Sequence, residues 1–264
     1  MKSAPPTLRF ERSFIESGHQ FLAGCDEVGR GALAGPVSVG LVVIDLAAVK
    51  GLRGVRDSKL LSPADRVRLV PRIKKWALAH GVGHASSAEI DDVGLMRALQ
   101  LAGNRAWEQV VVTVRPDAVI LDGNHDWLSP RPEATLFDTE TFATATLEAG
   151  PLEAGPVETD PVETEAFDAE VPAGCNVPVH TRIKADLQCL SVAAASVLAK
   201  VERDAMMVSY AGDHPQYGWE VNKGYATAGH RAAIHGLGPT GLHRTTWRLG
   251  TRDRIGMPRV EIGG

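Results

Sequence analysis

The stretch Cys25-Asp26-Glu27-Val28-Gly29-Arg30-Gly31 follows the short apolar run Phe21-Leu22-Ala23 and joins two adjacent acids to a glycine turn. The apolar run predicts a strand that Asp26 and Glu27 close. Successive residues of a strand face opposite ways, so both carboxylates share one site only if the chain twists or ends there, which the glycines allow. Carboxylates beside a glycine turn and an arginine are typical of a divalent cation next to a phosphate backbone, and an ordinary polar turn is the alternative.

Length and composition predict a globular protein. The chain has 264 residues, 44% of them hydrophobic and 23% charged, enough to bury a core as one domain or two. Three cysteines, Cys25, Cys175 and Cys189, show no CxxC spacing, which argues for a reducing compartment and against a zinc site or disulfide framework. The N-terminus lacks a signal-peptide pattern, and no stretch approaches the roughly 20 apolar residues of a membrane span. We therefore expect a cytoplasmic protein without a membrane partner.

The net charge of −4 conceals an uneven distribution along the chain. Residues 131–172 contain eleven acids and one base, Arg131, and carry −10, so the rest of the chain carries +6. The acids of this segment are Glu133, Asp138, Glu140, Glu148, Glu153, Glu158, Asp160, Glu163, Glu165, Asp168 and Glu170. Overall acidity is therefore no argument against a nucleic-acid partner, because the part of the chain predicted to fold is basic.

The acidic segment also contains a short internal repeat. Its units are LEAGP at 147–151 and 152–156, VETDP at 157–161 and VETEA at 162–166. Frequent glycine and proline with almost no aromatic residues bury too little surface to offset the entropy of ordering. We predict a flexible, disordered insertion over about 131–175, and an acidic shield for the basic face is the functional alternative.

Outside the insertion we predict one domain over 20–250, with an N-terminal extension over 1–19 and a C-terminal tail over 251–264. After the first strand, the predicted strands are 37–44, 82–85, 118–121 and about 177–183. The predicted helices begin at Ser62-Pro63, an N-cap followed by proline in the first turn, at about 93, and at Leu187. The apolar stripes of the first and last helix are Val67, Val70, Ile73 and Ala77, and Leu187, Leu190, Ala194, Val197, Val201 and Val208. Alternating elements around an apolar sheet predict an α/β fold.

Four acids stand at the ends of predicted elements. Asp26 and Glu27 close the first strand, Asp122 closes a later one, and Asp186 precedes the last long helix. Proteins of the α/β class bind ligands at strand ends, and oxygen-only ligands suit Mg²⁺ or Mn²⁺ rather than zinc. Taken singly, Asp122 is better explained as a turn residue and Asp186 as a helix N-cap. Four such positions in one fold favour a shared metal site.

The motifs along the chain resemble those of one family, the type 2 ribonucleases H (ribonuclease HII). In order they are DEVGRG at 26–31 with AGPV at 34–37, DSKLLS at 57–62, LDGN at 121–124, KAD at 184–186, SVAAASVLAKVERD at 191–204, and NKGYAT at 222–227 with His230. Together they cover about 20–248, with the insertion as the main interruption. The resemblance implies an RNase H-like central sheet flanked by helices, with a C-terminal helical part.

The same resemblance implies metal-dependent endonucleolysis of the RNA strand in RNA–DNA hybrids, including ribonucleotides embedded in duplex DNA, and 5′-phosphate and 3′-hydroxyl ends. By position it makes Asp26, Glu27, Asp122 and Asp186 the catalytic metal site, for Mn²⁺ or Mg²⁺. Two such ions can activate water and stabilise the departing 3′ oxygen. The role implied for the enzyme is ribonucleotide removal in DNA repair and clearance of replication primers, and we expect a monomer.

The resemblance assigns recognition of the ribonucleotide to the turn of Gly29, Arg30 and Gly31 together with Tyr225. Glycines let the backbone approach the sugar, whose 2′-hydroxyl distinguishes RNA from DNA. The other predicted substrate contacts are Ser58, Lys59, Asn124, Lys184, Asn222 and Lys223. Phosphate contacts of this kind supply position rather than sequence specificity, and a solvated surface role is the alternative for each lysine.

Two residues depart from the family pattern. Ala185 replaces the glycine that usually precedes the acid, and Ala226 follows Tyr225 where glycine is common. Each adds a methyl group near the site. We expect activity to survive, with the placement of Asp186 the most affected.

Two other functions stay open on the sequence. Another RNase H-like phosphoryl transferase, such as a transposase or resolvase, would lack the glycine turn paired with NKGY. A noncatalytic hybrid-binding module would have lost one or more of the four acids.

The histidines late in the chain match no metal-binding spacing and are predicted to be surface or packing residues, with His230 supporting Tyr225. They are His214, His230, His235 and His243. Ser191 and Ser196 are predicted to pack within their helix.

Overall fold

The computed structural model describes residues 4–130 and 174–249 of the chain. The predicted tail lies outside these residues, as does the predicted insertion except for its last two positions, of which Cys175 is buried in the core. Residues 4–129 and 174–249 belong to one compact unit. No helix within the described ranges has the length and hydrophobicity of a membrane span.

A five-stranded mixed sheet forms the centre of this unit, in the order β3-β2-β1-β4-β5. The strands are β1 Phe21–Val28, β2 Val37–Asp45, β3 Ala79–Ala85, β4 Ala118–Asp122 and β5 Val179–Arg182. The helices are α1 Arg9–Ser13, α2 Pro63–Trp76, α3 Ser87–Val111, α4 Ala185–Gln188, α5 Leu190–Asp213, α6 Trp219–Asn222 and α7 Ala228–Leu237. Short 3-10 turns lie at Phe14–Ser17, Ser58–Leu60 and Pro215–Tyr217. The predicted α/β class is confirmed.

Strand direction decides where the acids lie. β2 is antiparallel to both β1 and β3, whereas β1, β4 and β5 run parallel to one another. The carboxyl ends of the three parallel strands therefore meet at one edge of the sheet. The predicted metal ligands lie at this edge: Asp26 and Glu27 near the end of β1, Asp122 as the last residue of β4, and Asp186 shortly after β5.

Helices cover both faces of the sheet and bury two hydrophobic layers. One layer lies under α5 and α2 and includes Leu22, Val42 and Ile73, and the other lies under α3 and includes Leu41 and Trp107. α5 approaches the sheet closely because Gly40 of β2 has no side chain, and a Cβ there would lie 2.4 Å from the Ala195 carbonyl oxygen. Burial of these aliphatic surfaces is the main favourable term in folding.

A third hydrophobic cluster forms the C-terminal helical part. It joins α5, α6 and α7 through Met207, Trp219 and Ile234, and it also takes in Leu33 from the segment after β1. The predicted C-terminal helical part is therefore present, and it packs against the residues that follow the glycine turn.

The helix that begins at Ser62-Pro63 has the predicted cap but a different buried face. The Ser62 hydroxyl accepts a hydrogen bond from the Asp65 amide, as an N-cap does. The prediction was wrong for Val67, which is 59% exposed, whereas Leu69 and Ile73 are buried. Val67 and Leu69 point about 200° apart on an α-helix, so only one of them can face the sheet.

The last long helix also differs from its prediction. It is not continuous from Leu187, because Cys189 is extended (φ −103°, ψ 124°) and separates α4 from α5. Thr7 causes this break by pairing with the chain there, donating to the Gln188 carbonyl and accepting from the Leu190 amide. The predicted stripe continues through Ala194 and Val197, but Val208 is 48% exposed.

Candidate active site

The four predicted metal ligands lie at the carboxyl edge of the parallel strands. The pairing of β1 with β4 ends at Cys25 and Leu121, so Asp26 and Asp122 are the next residues on neighbouring strands. β5 pairs with β4 as far as Asp122, and α4 then carries Asp186 in its first turn. The Ala185 amide donates a 2.7 Å hydrogen bond to Asp122 Oδ1, which ties the fourth acid's segment to the third acid.

Asp26 and Glu27 face this edge although they are adjacent in a strand. β1 continues to Val28 beside β2, but its β4 neighbour has ended. Asp26 Oδ1 accepts a 2.8 Å hydrogen bond from the Glu27 amide, which turns the carboxylate along the strand. The sequence predicted that the strand twists or ends at these acids. The strand loses its pairing on the β4 side after Cys25 but continues to pair with β2 as far as Val28.

Burial and mutual repulsion act on the protons of these acids. Burial raises the pKa of Asp26 well above its usual value, a hydrogen bond from Ser196 opposes this, and the charges of Glu27, Asp122 and Asp186 add to it. Burial also raises the pKa of Glu27, against the effect of Arg30, and Asp122 adds to the rise. For Asp186, burial and then Asp122 and Asp57 raise the pKa to about 6. The carboxylates are therefore close enough to repel one another.

The donor set fits a hard divalent cation. All four side chains offer carboxylate oxygens, the ligands that Mg²⁺ and Mn²⁺ prefer. Glu27 Oε2 is buried and has no hydrogen-bond partner among the described residues, so one site oxygen has a free coordination position. Within residues 4–130 and 174–249 no three His, Cys, Asp or Glu side chains already have the arrangement of a formed metal site.

Two basic side chains border the acids. Arg30 Nη1 lies 3.6 Å from Glu27 Oε1, and Lys59 Nζ lies 3.9 Å from Asp186 Oδ2. Burial lowers the pKa of Lys59, but the charges of the surrounding carboxylates, Asp57 first, outweigh it and the net pKa is raised. The Lys59 side chain is 79% exposed, so its ammonium group reaches solvent beside the acids.

The remaining predicted substrate contacts have unequal access to solvent. Asn124 and Lys184 are exposed near the ends of β4 and β5. Ser58 is only 3% exposed, and its hydroxyl lies 2.9 Å from Ser196 Oγ, the residue that hydrogen-bonds Asp26. Ser196 was predicted to pack in its helix, and the structure gives it the additional contact to the metal-site acid.

The Asn222 side chain shapes the loop that carries Tyr225. Its amide nitrogen donates to the Tyr217 carbonyl and its oxygen accepts from the Gly224 amide, at 2.7 and 2.8 Å. Lys223 is held in the left-handed region, with φ 52°. The nitrogen and the oxygen of the Asn222 side-chain amide therefore both fix the backbone of the loop at 222–225.

Tyr225 is half-buried between basic residues and a histidine. Its ring centroid is 5.6 Å from Lys200 Nζ and 5.5 Å from Arg203 Cζ. His230 Nδ1 lies 2.9 Å from the Tyr225 carbonyl oxygen, and its Nε2 lies 3.0 Å from Trp219 Nε1. The predicted support of Tyr225 by His230 is confirmed.

Sequence reasoning missed two arginines beside the glycine turn. Arg203 and Arg244 are both 0% exposed. Burial, and then the charge of Arg203, lowers the pKa of Arg244 to about 9. A signal existed for Arg203, because it occurs in phase with buried Ala199 and Met207 on α5, where an apolar residue is expected. Arg244 lies in a segment without periodicity, and nothing in the sequence pattern marks it.

Comparisons with known proteins identify the family of this chain. A profile of the family described as ribonuclease HII matches residues 23–149 and 139–249. A ribonuclease HII from Streptomyces avermitilis is 39% identical over 252 residues, covering 94% of this chain and 85% of the relative. A ribonuclease HII from a Synechococcus strain is 36% identical over 264 residues, covering 100% and 96%.

Solved structures agree in fold. The ribonuclease H2 of Pyrococcus horikoshii OT3 has a TM-score of 0.56 at 23% identity, covering 87% of this chain and 94% of that one. The Bst-RNase HIII in complex with Mn²⁺ has a TM-score of 0.55 at 20% identity, covering 87% and 68%. The fold is that of the ribonuclease H structures. The chain belongs to the ribonuclease HII family and is a ribonuclease H.

Family membership decides between the functions that the sequence left open. A transposase or resolvase is excluded by the profile match across both halves of the domain. A noncatalytic binding module is excluded in favour of an enzyme, since the relatives are ribonucleases and all four acids are present.

Proposed function

We propose that this enzyme hydrolyses the RNA strand of RNA–DNA hybrids and also incises duplex DNA on the 5′ side of an embedded ribonucleotide, leaving 5′-phosphate and 3′-hydroxyl ends. The observation that carries the proposal is the juxtaposition of the acidic sheet edge with the Gly29–Gly31 turn, since Arg30 of the turn lies 3.6 Å from Glu27 of the acidic group. The acids would then cleave the phosphodiester that is attached to the ribose bound by the turn.

Asp26, Glu27, Asp122 and Asp186 would hold the divalent cation, Mn²⁺ or Mg²⁺. When bound, such ions supply activation of water and stabilisation of charge on the leaving oxygen. The unpartnered oxygen of Glu27 and the raised pKa values of Asp26 and Asp186 support this assignment, because a cation would relieve both desolvation and repulsion. The Mn²⁺ complex of the related fold in Bst-RNase HIII is consistent with it.

The other residues would bind and orient the nucleic acid. The turn of Gly29, Arg30 and Gly31 would approach the ribose, and the Tyr225 ring would stack on the neighbouring sugar. Lys59, Asn124, Lys184 and Lys223 would contact phosphates. Ser58 and Asn222 use their side chains inside the protein, so we expect them to contribute mainly by shaping the site.

In the cell we propose a monomeric, cytoplasmic enzyme that removes ribonucleotides in DNA repair and clears replication primers. Three cysteines that are buried and free support a reducing compartment. A related structure, the ribonuclease HII of Archaeoglobus fulgidus, was solved as a complex with PCNA.

A duplex that contains one ribonucleotide tests the proposal. With Mn²⁺ or Mg²⁺, the protein is expected to produce a single nick on the 5′ side of the ribonucleotide. Ligation of the product tests for a 5′-phosphate, and extension by a polymerase tests for a 3′-hydroxyl. An all-DNA duplex of the same sequence should stay intact. If the protein cleaves a long RNA–DNA hybrid but not the duplex with a single ribonucleotide, the ribonuclease H activity of the family stands and the proposed incision at single ribonucleotides is wrong.

A further inference from the structure

Arg203 and Arg244 are two fully buried cations that contact backbone rather than acids. Among the described residues neither has a carboxylate within the 4.0 Å of an ion pair. Their hydrogen bonds all go to carbonyl oxygens. A buried charge without a counter-ion is unfavourable, so several carbonyl dipoles must compensate each guanidinium.

Arg244 binds the glycine turn directly. Its Nη2 donates to the Gly29 carbonyl at 2.6 Å and its Nη1 to the Arg30 carbonyl at 2.8 Å. Nε and Nη2 also donate to the Gly35 carbonyl, at 3.3 and 3.2 Å. The guanidinium lies 4.7 Å from the ring centroid of Trp247, which covers it. The rigid fork of arginine therefore sets the orientation of two peptide units in the turn.

Arg203 links the same turn to the loop of Tyr225. It donates from Nε to the Pro36 carbonyl at 2.8 Å and from Nη1 to the Lys223 carbonyl at 3.0 Å. Gly29 (φ 85°) lies against it so closely that a Cβ there would be 2.0 Å from Arg203 Nε. One side chain on α5 thus contacts the turn on one side and the segment before Tyr225 on the other.

Backbone hydrogen bonds close this arrangement. The Leu33 amide donates to the Gly224 carbonyl at 2.8 Å, and the Arg244 amide donates to the Leu33 carbonyl at 2.9 Å. The turn, the segment at 33–36 and the loop at 222–225 are therefore joined through two guanidinium groups and a few amides. No large hydrophobic residue from the turn itself contributes.

We propose that Arg203 and Arg244 are positioning residues that set the spacing between the glycine turn and Tyr225, and that selection of a ribonucleotide over a deoxyribonucleotide depends on this spacing. The proposal rests on the proposed function, because it assigns the turn and Tyr225 to the ribose. Neither arginine is expected to touch the substrate, since both are fully buried.

Charge-preserving variants test the assignment. Arg203→Lys and Arg244→Lys keep a cation but lose the fork that reaches several carbonyls. With catalysis prevented by Ca²⁺ or by omission of metal, we expect the ratio of affinities for a one-ribonucleotide duplex and the matching all-DNA duplex to fall about tenfold, while affinity for all-DNA is unchanged. In turnover, KM for the one-ribonucleotide duplex should rise more than kcat falls.

Glu11→Gln is the matched control, because Glu11 is also fully buried and its carboxylate accepts hydrogen bonds from the Ser191 amide and hydroxyl rather than from residues of the turn. It should lower thermal stability without changing the affinity ratio. Should an arginine variant not fold, Trp247→Leu removes the ring that covers Arg244 but keeps an apolar side chain against the hydrophobic clusters that Trp247 also contacts, and it should give a smaller loss of the ratio. Equal affinity of the wild type for the one-ribonucleotide and all-DNA duplexes would refute the proposed function.

If the wild type prefers the one-ribonucleotide duplex and the folded lysine variants, or Trp247→Leu, keep the same affinity ratio, this inference alone is refuted.

Discussion

The acidic sheet edge and the glycine-turn region contain opposite charges and compensate them in opposite ways. At the sheet edge, Asp26, Glu27 and Asp186 are desolvated and repel one another, and their raised pKa values record a deficit of positive charge. In the turn region, Arg203 and Arg244 are desolvated as fully, but carbonyl dipoles of the chain surround them.

The difference separates two tasks. The turn region is complete within the protein and can hold a fixed shape before substrate arrives, which favours recognition. Under the proposed function, an added cation would compensate the repulsion among the carboxylates of the sheet edge. Perturbations of the two regions should therefore affect different measurements.

The largest effect should come from Asp26→Asn. Because this change removes a ligand charge at the centre of the acidic group, we expect kcat to fall about a thousandfold or more, equivalent to about 4 kcal/mol, with substrate affinity largely retained. Steady-state cleavage and binding assays measure the two quantities. Glu220→Gln, an exposed acid on α6, is the control. Unchanged turnover in Asp26→Asn would remove Asp26 from the metal site.

Divalent cation should stabilise the folded protein. If Mn²⁺ or Mg²⁺ binds only the native acids, a concentration one hundred times Kd raises the free energy of unfolding by about 2.7 kcal/mol. Thermal melts with and without the ion measure this independently of activity. Asp186→Asn should lose most of the stabilisation, whereas Asp65→Asn on α2 should keep it. Equal stabilisation of both variants would mean that the ion binds elsewhere.

Tyr225→Ala tests the turn region from its aromatic side. Loss of the ring should reduce cleavage at a single ribonucleotide about tenfold, which lies at the lower end of the roughly 1–3 kcal/mol that stacking of a base on an aromatic ring contributes. Tyr225→Phe keeps the ring and separates stacking from the hydroxyl contact. The cation-dependent rise in melting temperature should not change in either variant. Equal cleavage rates for wild type and Tyr225→Ala would exclude the residue from recognition.

The smallest effect is expected for Asp91→Asn, at the anchor of the segment that carries Arg244. Asp91 accepts hydrogen bonds from the amides and hydroxyls of Thr245 and Thr246. Burial raises its pKa, but these hydrogen bonds outweigh it, so the pKa lies below the usual 3.8. We expect a loss of about 1 kcal/mol in stability at neutral pH, discounted for solvent access.

The pH dependence of that loss has a definite sign. A depressed pKa means that the unfolded state binds the proton more readily, so the contribution of Asp91 is fully present above pH 3.8 and is lost as pH falls through the folded-state pKa. The difference in melting temperature between wild type and Asp91→Asn should therefore shrink under acid. A difference that grows with acidification would contradict the assignment.

Much of the fold follows from patterns along the chain. β-Branched runs predicted the strands, and the Ser62-Pro63 cap marked the start of α2 correctly. The helix predicted from about residue 93 corresponds to the part of α3 after Gly94, where the backbone leaves the helical conformation (φ 78°, ψ 161°), whereas the part that begins at the capping box of Ser86 and Glu89 was not predicted. The break at Cys189 was unpredictable, since Thr7 imposes it from almost two hundred positions away in sequence.

The resemblance to the ribonuclease HII family rests on motifs in order along the chain: acids at the ends of β1 and β4 and in α4, a glycine turn next to the first two acids, and the NKGY segment. The buried arginines could not be assigned in this way, because their partners are backbone carbonyls, which every residue possesses and no sequence pattern distinguishes. Register and strand direction brought Asp26 next to Asp122, and tertiary contacts alone placed Arg203 between Gly29 and Lys223. Local propensities act over a few residues, whereas these contacts depend on the closed fold.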